Sequence, residues 1–310
     1  MRKLFIQLFL YAFLVMLSSC YTATESTPKI DDAVVEKIEK GEEELIMENN
    51  FVKHGCQSWL PGKSFAYVDD SLSPVLRPEE NASLSTTGLK GKTFVYEGHR
   101  EENLYGNKKL VTLVFRCDSA IYTYATGKSI DEIAAMEYTP LIPSFVDWDD
   151  VATARDLFLG KRLYILTNQW YDEDNQLFTS RKLIPVTVTA VSPGNSVLPL
   201  ALSFVDEQGN TGKVFMSVKS SSYTQILTFD RLFSFTDPRA KYESISDEAW
   251  DAITRGKVIT GMTKEECRLA LGLPSEVVKI PTYSGLKEQW IYNTGTYLLF
   301  SDGLLSAFRQ

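Results

Sequence analysis

Histidine, cysteine and long apolar runs are all scarce in this chain of 310 residues. It has two histidines and four cysteines, so the usual ligands of a zinc site are few. The apolar stretch at residues 4–17 is interrupted by Gln7 and is shorter than the about 20 residues that a membrane-spanning helix needs. The sequence therefore excludes a polytopic membrane protein and predicts no metal site.

Basic residues are also in deficit, with 32 Lys and Arg against 40 Asp and Glu. A nucleic-acid-binding protein concentrates positive charge against phosphates, so we expect no nucleic-acid partner. The composition, with 44% hydrophobic and 23% charged residues, is otherwise that of a folded globular chain. It excludes wholesale disorder.

Sequence motifs for catalysis and phosphate binding are missing. The chain has neither a Gly-x-Ser-x-Gly elbow nor a His-Glu-x-x-His pair. Gly-Lys-Ser triplets occur at residues 62–64 and 127–129, but Gln57 and Tyr122 stand where a phosphate loop needs its first glycine. We therefore expect a protein that is not an enzyme and that holds no cofactor.

The first twenty residues have the three-part pattern of an export signal. A basic start at residues 2–3 and the apolar stretch precede Leu17-Ser18-Ser19-Cys20, which places small residues before a cysteine. This ending resembles the lipobox of bacterial lipoproteins. The resemblance implies that residues 1–19 are removed and that Cys20 carries acyl chains such as palmitate. The alternative is a plain signal peptide followed by an incidental cysteine.

Residues 20–50 read as a tether followed by an acidic helix. Residues 21–27 are small and polar, which suits a flexible spacer. Thr27 and Pro28 are typical of a helix start, and acidic residues outnumber lysines in the segment that follows. This helix either holds the body off an anionic membrane, docks on a basic partner, or simply presents a solvated face.

The middle of the chain reads as repeated small β units. A pattern Gly-Lys-x-[Phe/Leu]-x-[Tyr/Ile] begins at Gly62, Gly91 and Gly160, and each copy predicts a turn glycine followed by a strand. We interpret residues 51–142 as a first β unit and residues 143–240 as a second. The second unit, with five short strands and a long first loop, resembles an SH3-like barrel in its pattern.

That long loop, residues 167–182, contains Trp170 and Tyr171 beside an acidic run. SH3-like barrels often bind peptides through aromatic residues of this loop, and an aromatic pair beside acids also suits sugar stacking. Trp170 and Tyr171 are therefore a candidate binding loop. The alternative is that they only cover the end of the barrel.

Residues 241–310 predict two short helices followed by antiparallel strands. The motifs, in chain order, are Gly261-Met262-Thr263-x-Glu265-Glu266, Leu271-Gly272-x-Pro274, Trp290-x-Tyr292 and Tyr297-x-x-Phe300-x-Asp302-Gly303. They resemble the SmpA/OmlA (BamE-like) lipoprotein domain, whose fold is shared with β-lactamase inhibitor proteins. The resemblance implies an α+β module that contacts other proteins of the bacterial envelope.

Three thiols remain if Cys20 is acylated. A bridge between Cys56 and Cys117 would close a loop of ~60 residues and contribute about 4 kcal/mol in an oxidising envelope. The alternative is three reduced core thiols. In either case Cys267 is expected to be buried and free.

Together these patterns predict an α+β protein, mainly antiparallel β, in which tandem small SH3-like barrels precede a BamE-like helix-helix-sheet domain. We expect a non-enzymatic interaction or structural module, held on a membrane by its N-terminal lipid and paired with an envelope protein. The outer membrane is the favoured site, with the body in the periplasm or at the cell surface. The alternative is a lipid-anchored glycan- or peptide-binding accessory or hydrolase. The sequence leaves any small-molecule ligand open.

Overall fold

A computed structural model describes residues 41–310 except 53, 71–74, 80–87, 106–107, 219–226 and 283–284. These residues belong to one compact unit, Gly41–Gln310. The predicted export signal, Cys20 and the first part of the acidic helix lie outside the described residues. Within the described part the chain is α+β with antiparallel sheets, which confirms that expectation. None of the helices described there is both long and apolar enough to cross a bilayer.

Six α-helices occur in the described part of the chain: α1 (Glu42–Asn50), α2 (Ile130–Met136), α3 (Trp148–Phe158), α4 (Phe229–Leu232), α5 (Asp247–Thr254) and α6 (Lys264–Leu271). Two of them begin with a capping box. Ser129 and Thr263 each accept a hydrogen bond from the backbone N–H three residues later, and Glu132 and Glu266 return the contact to the cap backbone. Both boxes are readable in the sequence.

The first sheet has the strand order β2-β5-β4-β3-β1-β6. Its strands are β1 (Ser64–Tyr67), β2 (Arg77–Pro78), β3 (Thr93–Tyr105), β4 (Lys108–Cys117), β5 (Ala120–Ala125) and β6 (Phe145–Asp147). The first two copies of the Gly-Lys pattern lead into β1 and β3. Strand β6 pairs with β1, although it lies beyond residue 142, where the sequence pattern ended the first unit.

The second sheet has the strand order β13-β7-β10-β11-β12-β8-β9. Its strands are β7 (Arg162–Ile165), β8 (Gln169–Tyr171), β9 (Leu177–Thr179), β10 (Ile184–Pro193), β11 (Leu200–Asp206), β12 (Thr211–Met216) and β13 (Phe233–Ser234). The predicted long loop therefore holds a hairpin, β8–β9, which extends the sheet beyond β12.

The third sheet is an antiparallel meander packed against α5 and α6. Its strands are β14 (Glu276–Thr282), β15 (Gly285–Ile291), β16 (Tyr297–Ser301) and β17 (Leu304–Arg309). Asp302 and Gly303 both have positive φ and form the tight turn that joins β16 and β17. Trp290, Leu298 and Phe300 are fully buried in this core.

The first and second sheets share a wall. Phe65 of β1 packs in the core of the first sheet, while its neighbour Ala66 packs in the core of the second. In β6, Val146 likewise belongs to the second core. Helix α3 covers this side and buries Val151 there. Strands β1 and β6 are thus buried on both faces, so the two sheets are fused along this wall.

Candidate functional site

The β8–β9 hairpin brings aromatic and apolar residues together on the outer face of the second sheet. Tyr171 lies opposite Leu177 in the hairpin and opposite Lys213 of β12. Residues that face each other across an antiparallel pair project on the same side of a sheet, and so do residues two apart in one strand. Phe215 therefore joins this face. We call Tyr171, Leu177, Lys213 and Phe215 the aromatic platform.

Contacts within the aromatic platform are close. The rings of Tyr171 and Phe215 meet edge to face with their centroids 5.0 Å apart. The ammonium of Lys213 lies 5.5 Å from the ring centroid of Phe215. Leu177 is 54% exposed, and the other three side chains are half-buried. This combination of aromatic faces, an exposed leucine and a cation is suited to contact a protein segment or a sugar ring.

Trp170 lies on the opposite face of the same strand. It is completely buried, its Nε1 donates a hydrogen bond to the Thr167 carbonyl at 3.0 Å, and its ring packs edge-on against Phe204. A Cβ on Gly212 would lie 2.5 Å from the indole, so this glycine makes room for it. Of the predicted binding pair, Tyr171 reaches the surface, whereas Trp170 has no exposed area to offer a ligand.

Sequence reasoning missed the other members of the aromatic platform. Phe215 lies in the run Val214-Phe215-Met216, where every residue is apolar and no alternation marks the outer face. Leu177 and Lys213 come near Tyr171 through pairings that depend on the folded sheet. If the register of the β8–β9 hairpin had been known, the sequence would have shown that Leu177 lies opposite Tyr171.

Cys56 and Cys117 are buried free thiols in the first core, which is the alternative that the sequence left open beside a bridge. Burial raises the pKa of both thiols, so they stay protonated at neutral pH. Cys267 is buried and free as predicted, and burial raises its pKa to about 12. These three thiols act as small core residues in the structure.

A partly buried charge cluster joins the turn before β1 to α3. Lys63 Nζ lies 2.8 Å from Asp147 Oδ2 and also contacts the Asp149 carboxylate. Asp147 caps α3 by accepting a hydrogen bond from the Asp149 backbone N–H at 3.0 Å. Burial opposes the charge on Lys63, but its bonds to the two aspartates raise its pKa above the ordinary value. The cluster fixes the helix on the shared wall.

In the part of the chain that the structure describes, no group of three or more His, Cys, Asp or Glu side chains is placed to bind a metal ion. Neither a protein-family model nor a curated protein nor a solved structure matches this chain.

Proposed function

We propose that this protein is a lipid-anchored, non-enzymatic interaction module of the bacterial envelope, and that it binds another envelope protein through its aromatic platform. The observation that carries the proposal is Leu17-Ser18-Ser19-Cys20 behind a basic and an apolar stretch. Each buried acyl methylene contributes ~0.8 kcal/mol, so several chains on Cys20 hold the body at a membrane.

The proposal includes a finer description of the two C-terminal units. An SH3-like character of the second sheet is supported by the strand order β13-β7-β10-β11-β12 and by the short helix α4 before its last strand. A BamE-like character of residues 241–310 is supported by two helices followed by a four-stranded meander. Because unrelated functions share one fold, the binding role itself is argued from the aromatic platform.

The aromatic platform supports a binding role because one exposed leucine and two half-buried aromatic rings are grouped there. Leu177 projects beside two half-buried aromatic rings, and an acidic turn at residues 172–174 borders them. Interfaces are enriched in tyrosine and phenylalanine and are rimmed by polar residues. Such a face is expected to lose water on binding a partner.

A glycan- or peptide-binding accessory is a second candidate function. The observation that favours it is the edge-to-face pair of Tyr171 and Phe215 beside exposed Glu173 and Asp174. A half-buried ring next to exposed carboxylates suits a sugar, which offers both an apolar face and hydroxyl donors.

The anchor is tested by detergent phase partitioning of the protein expressed with its export signal. We expect the natural protein in the detergent phase, with fatty acid at its N-terminus by mass spectrometry, and Cys20→Ser in the aqueous phase. An unmodified N-terminus in the natural protein would refute the anchor.

The binding surface is tested by crosslinking in the intact envelope. Tyr171→Ala is expected to reduce the yield of the crosslinked partner roughly tenfold, because a central aromatic contact contributes on the order of 1–2 kcal/mol. The matched control is Tyr164→Ala, which removes a half-buried tyrosine of β7 outside the platform. Equal yields from both variants contradict the proposed surface, and recovery of a bound sugar instead of a protein favours the second candidate.

A further inference from the structure

We infer that β9 is a docking edge, at which an extended segment of the partner protein adds to the second sheet as one more antiparallel strand. The inference rests on the proposed function, since it describes how a partner engages the face that carries the aromatic platform. Strand β9 stands last in the order of the second sheet, and its three residues are exposed.

The hydrogen-bond register of the hairpin leaves the outer side of β9 open. The Asp172 N–H donates to the Gln176 carbonyl at 3.0 Å, and the Ser180 N–H donates to the Asn168 carbonyl at 2.7 Å. Bonded and non-bonded pairs alternate along an antiparallel ladder, so Phe178 is bonded inward. Leu177 and Thr179 therefore direct their N–H and C=O groups outward, where no residue of the described ranges bonds to them.

The side chains of β9 are apolar at two consecutive positions. Leu177 is 54% exposed on the platform face, and Phe178 is 37% exposed on the opposite face. Proteins commonly protect free strand edges with charged residues. The part of β3 that extends beyond its pairing with β1 follows this rule with Arg100, Glu101 and Glu102, whereas β9 carries no charge.

Charge at the end of β9 defines the incoming strand further. Glu173 and Asp174 are exposed in the turn before β9 and form no ion pair with any residue that the structure describes. An antiparallel strand would bring its C-terminal end beside this turn. The expected occupant is thus an extended segment with two consecutive apolar residues, one beside Leu177 and one beside Phe178, followed by a lysine or arginine.

The test uses the full lipidated protein in detergent micelles and the fluorescent, end-capped peptide Ser-Thr-Val-Thr-Val-Leu-Lys-Lys-Ser. Main-chain hydrogen bonds supply the affinity in strand addition, so a peptide with this pattern suffices as a probe. Thr179→Pro removes an outward N–H, and Thr179→Val keeps it. We expect anisotropy titrations to give roughly tenfold weaker binding to Thr179→Pro and about equal binding to Thr179→Val.

A second peptide guards against a folding defect in the proline variant. It carries N-methyl groups at the alternate residues whose N–H groups would bond to β9. We expect the natural protein not to bind this peptide. No binding of the unmethylated peptide, or equal binding of both peptides, overturns the inference, as does equal binding to a folded Thr179→Pro. If crosslinking in the envelope still depends on Tyr171 in that case, the proposed function stands and strand addition alone falls.

Discussion

Two adjacent aromatic residues, Trp170 and Tyr171, have opposite environments because successive side chains of a strand point to opposite faces. Trp170 contributes its whole surface to the second core, and Tyr171 contributes one face to the aromatic platform. We therefore expect removal of the Trp170 side chain to lower stability, and removal of the Tyr171 side chain to weaken binding.

Trp170→Ala is expected to lower the free energy of unfolding by about 3–5 kcal/mol, because it leaves a large cavity and an unpaired Thr167 carbonyl. Tyr171→Ala is expected to lower it by about 1 kcal/mol or less. Urea denaturation followed by circular dichroism measures both. A small effect of Trp170→Ala would contradict the burial described here.

Glu288 holds a charge inside the C-terminal unit. Its side chain is 9% exposed, and it accepts hydrogen bonds from Lys264 Nζ and Trp290 Nε1, each at 2.6 Å. The bond from Lys264, followed by that from Trp290, lowers the pKa of this carboxyl below the ordinary 4.5. The network ties the first turn of α6 to β15.

Glu288→Gln is expected to cost about 2 kcal/mol of stability, since Lys264 and Trp290 bond to different carboxylate oxygens and the amide would present an NH2 group to one of these donors. Because the carboxyl pKa is lower in the folded protein, the stabilisation is present above pH 4.5 and is lost as the pH falls through the lowered value. The difference in the free energy of unfolding between Glu288→Gln and the natural protein should therefore become smaller in acid. Glu276→Gln, an exposed change in β14, is the control and should change stability at neutral pH by less than about 0.5 kcal/mol.

At the scale of elements, helix α1 packs against the second sheet, although it is followed in the chain by the first sheet. It precedes the first sheet, yet Met47 and Phe51 at its C-terminal end belong to the core of the second. Near its start, the Glu43 carboxylate accepts hydrogen bonds from the Ser234 hydroxyl and the Phe235 N–H. The helix is thus fastened to the edge of the second sheet at both ends.

Met47→Ala is expected to destabilise the protein by about 2–4 kcal/mol, as for other buried methionines. Leu45→Ala is the matched control, because Leu45 lies on the same helix and is 45% exposed. It should change stability by less than about 0.5 kcal/mol. Equal effects in thermal denaturation would mean that α1 does not contribute Met47 to the core.

Elements that depend on neighbouring residues were predictable, and those that depend on distant pairing were not. The capping boxes at Ser129 and Thr263 and the turn at Asp302 use residues a few positions apart, and all three are present. The outer position of Phe215 and the burial of Trp170 depend on which face of a sheet meets the core. That choice is made by strands and helices far away in the chain, so a local pattern does not contain it.

At the scale of the whole molecule, the shared wall joins the first and second sheets into one folded body. The repeated Gly-Lys pattern predicted two tandem β units, but it did not indicate that β1 would contribute residues to both cores. Its residues Phe65, Ala66 and Tyr67 are all buried, so the strand has no polar face to mark an outside. The C-terminal unit keeps a core of its own. The second unit meets it through Leu183, which packs against that core, and through Arg181, which donates hydrogen bonds to Asp251 and Thr254.

Phe115→Ala, in the first core, is therefore expected to speed amide hydrogen exchange in β11 of the second sheet as well as in β4. Phe300→Ala, an equally buried change in the third core, should speed exchange in β15 and β16 while β11 is spared. Mass spectrometry of exchanged peptides distinguishes the two. Exchange confined to the first sheet in Phe115→Ala would show that the wall does not couple the sheets.

The shared wall also constrains how the molecule can be divided in the laboratory or by a protease. A piece beginning at residue 143 would lack Met47, Phe51 and Ala66, and the hydrophobic interior that they cover would be open to solvent. Such a fragment is expected to aggregate when expressed. A soluble fragment that contains the second sheet has to start no later than Gly41 and retain the whole first sheet.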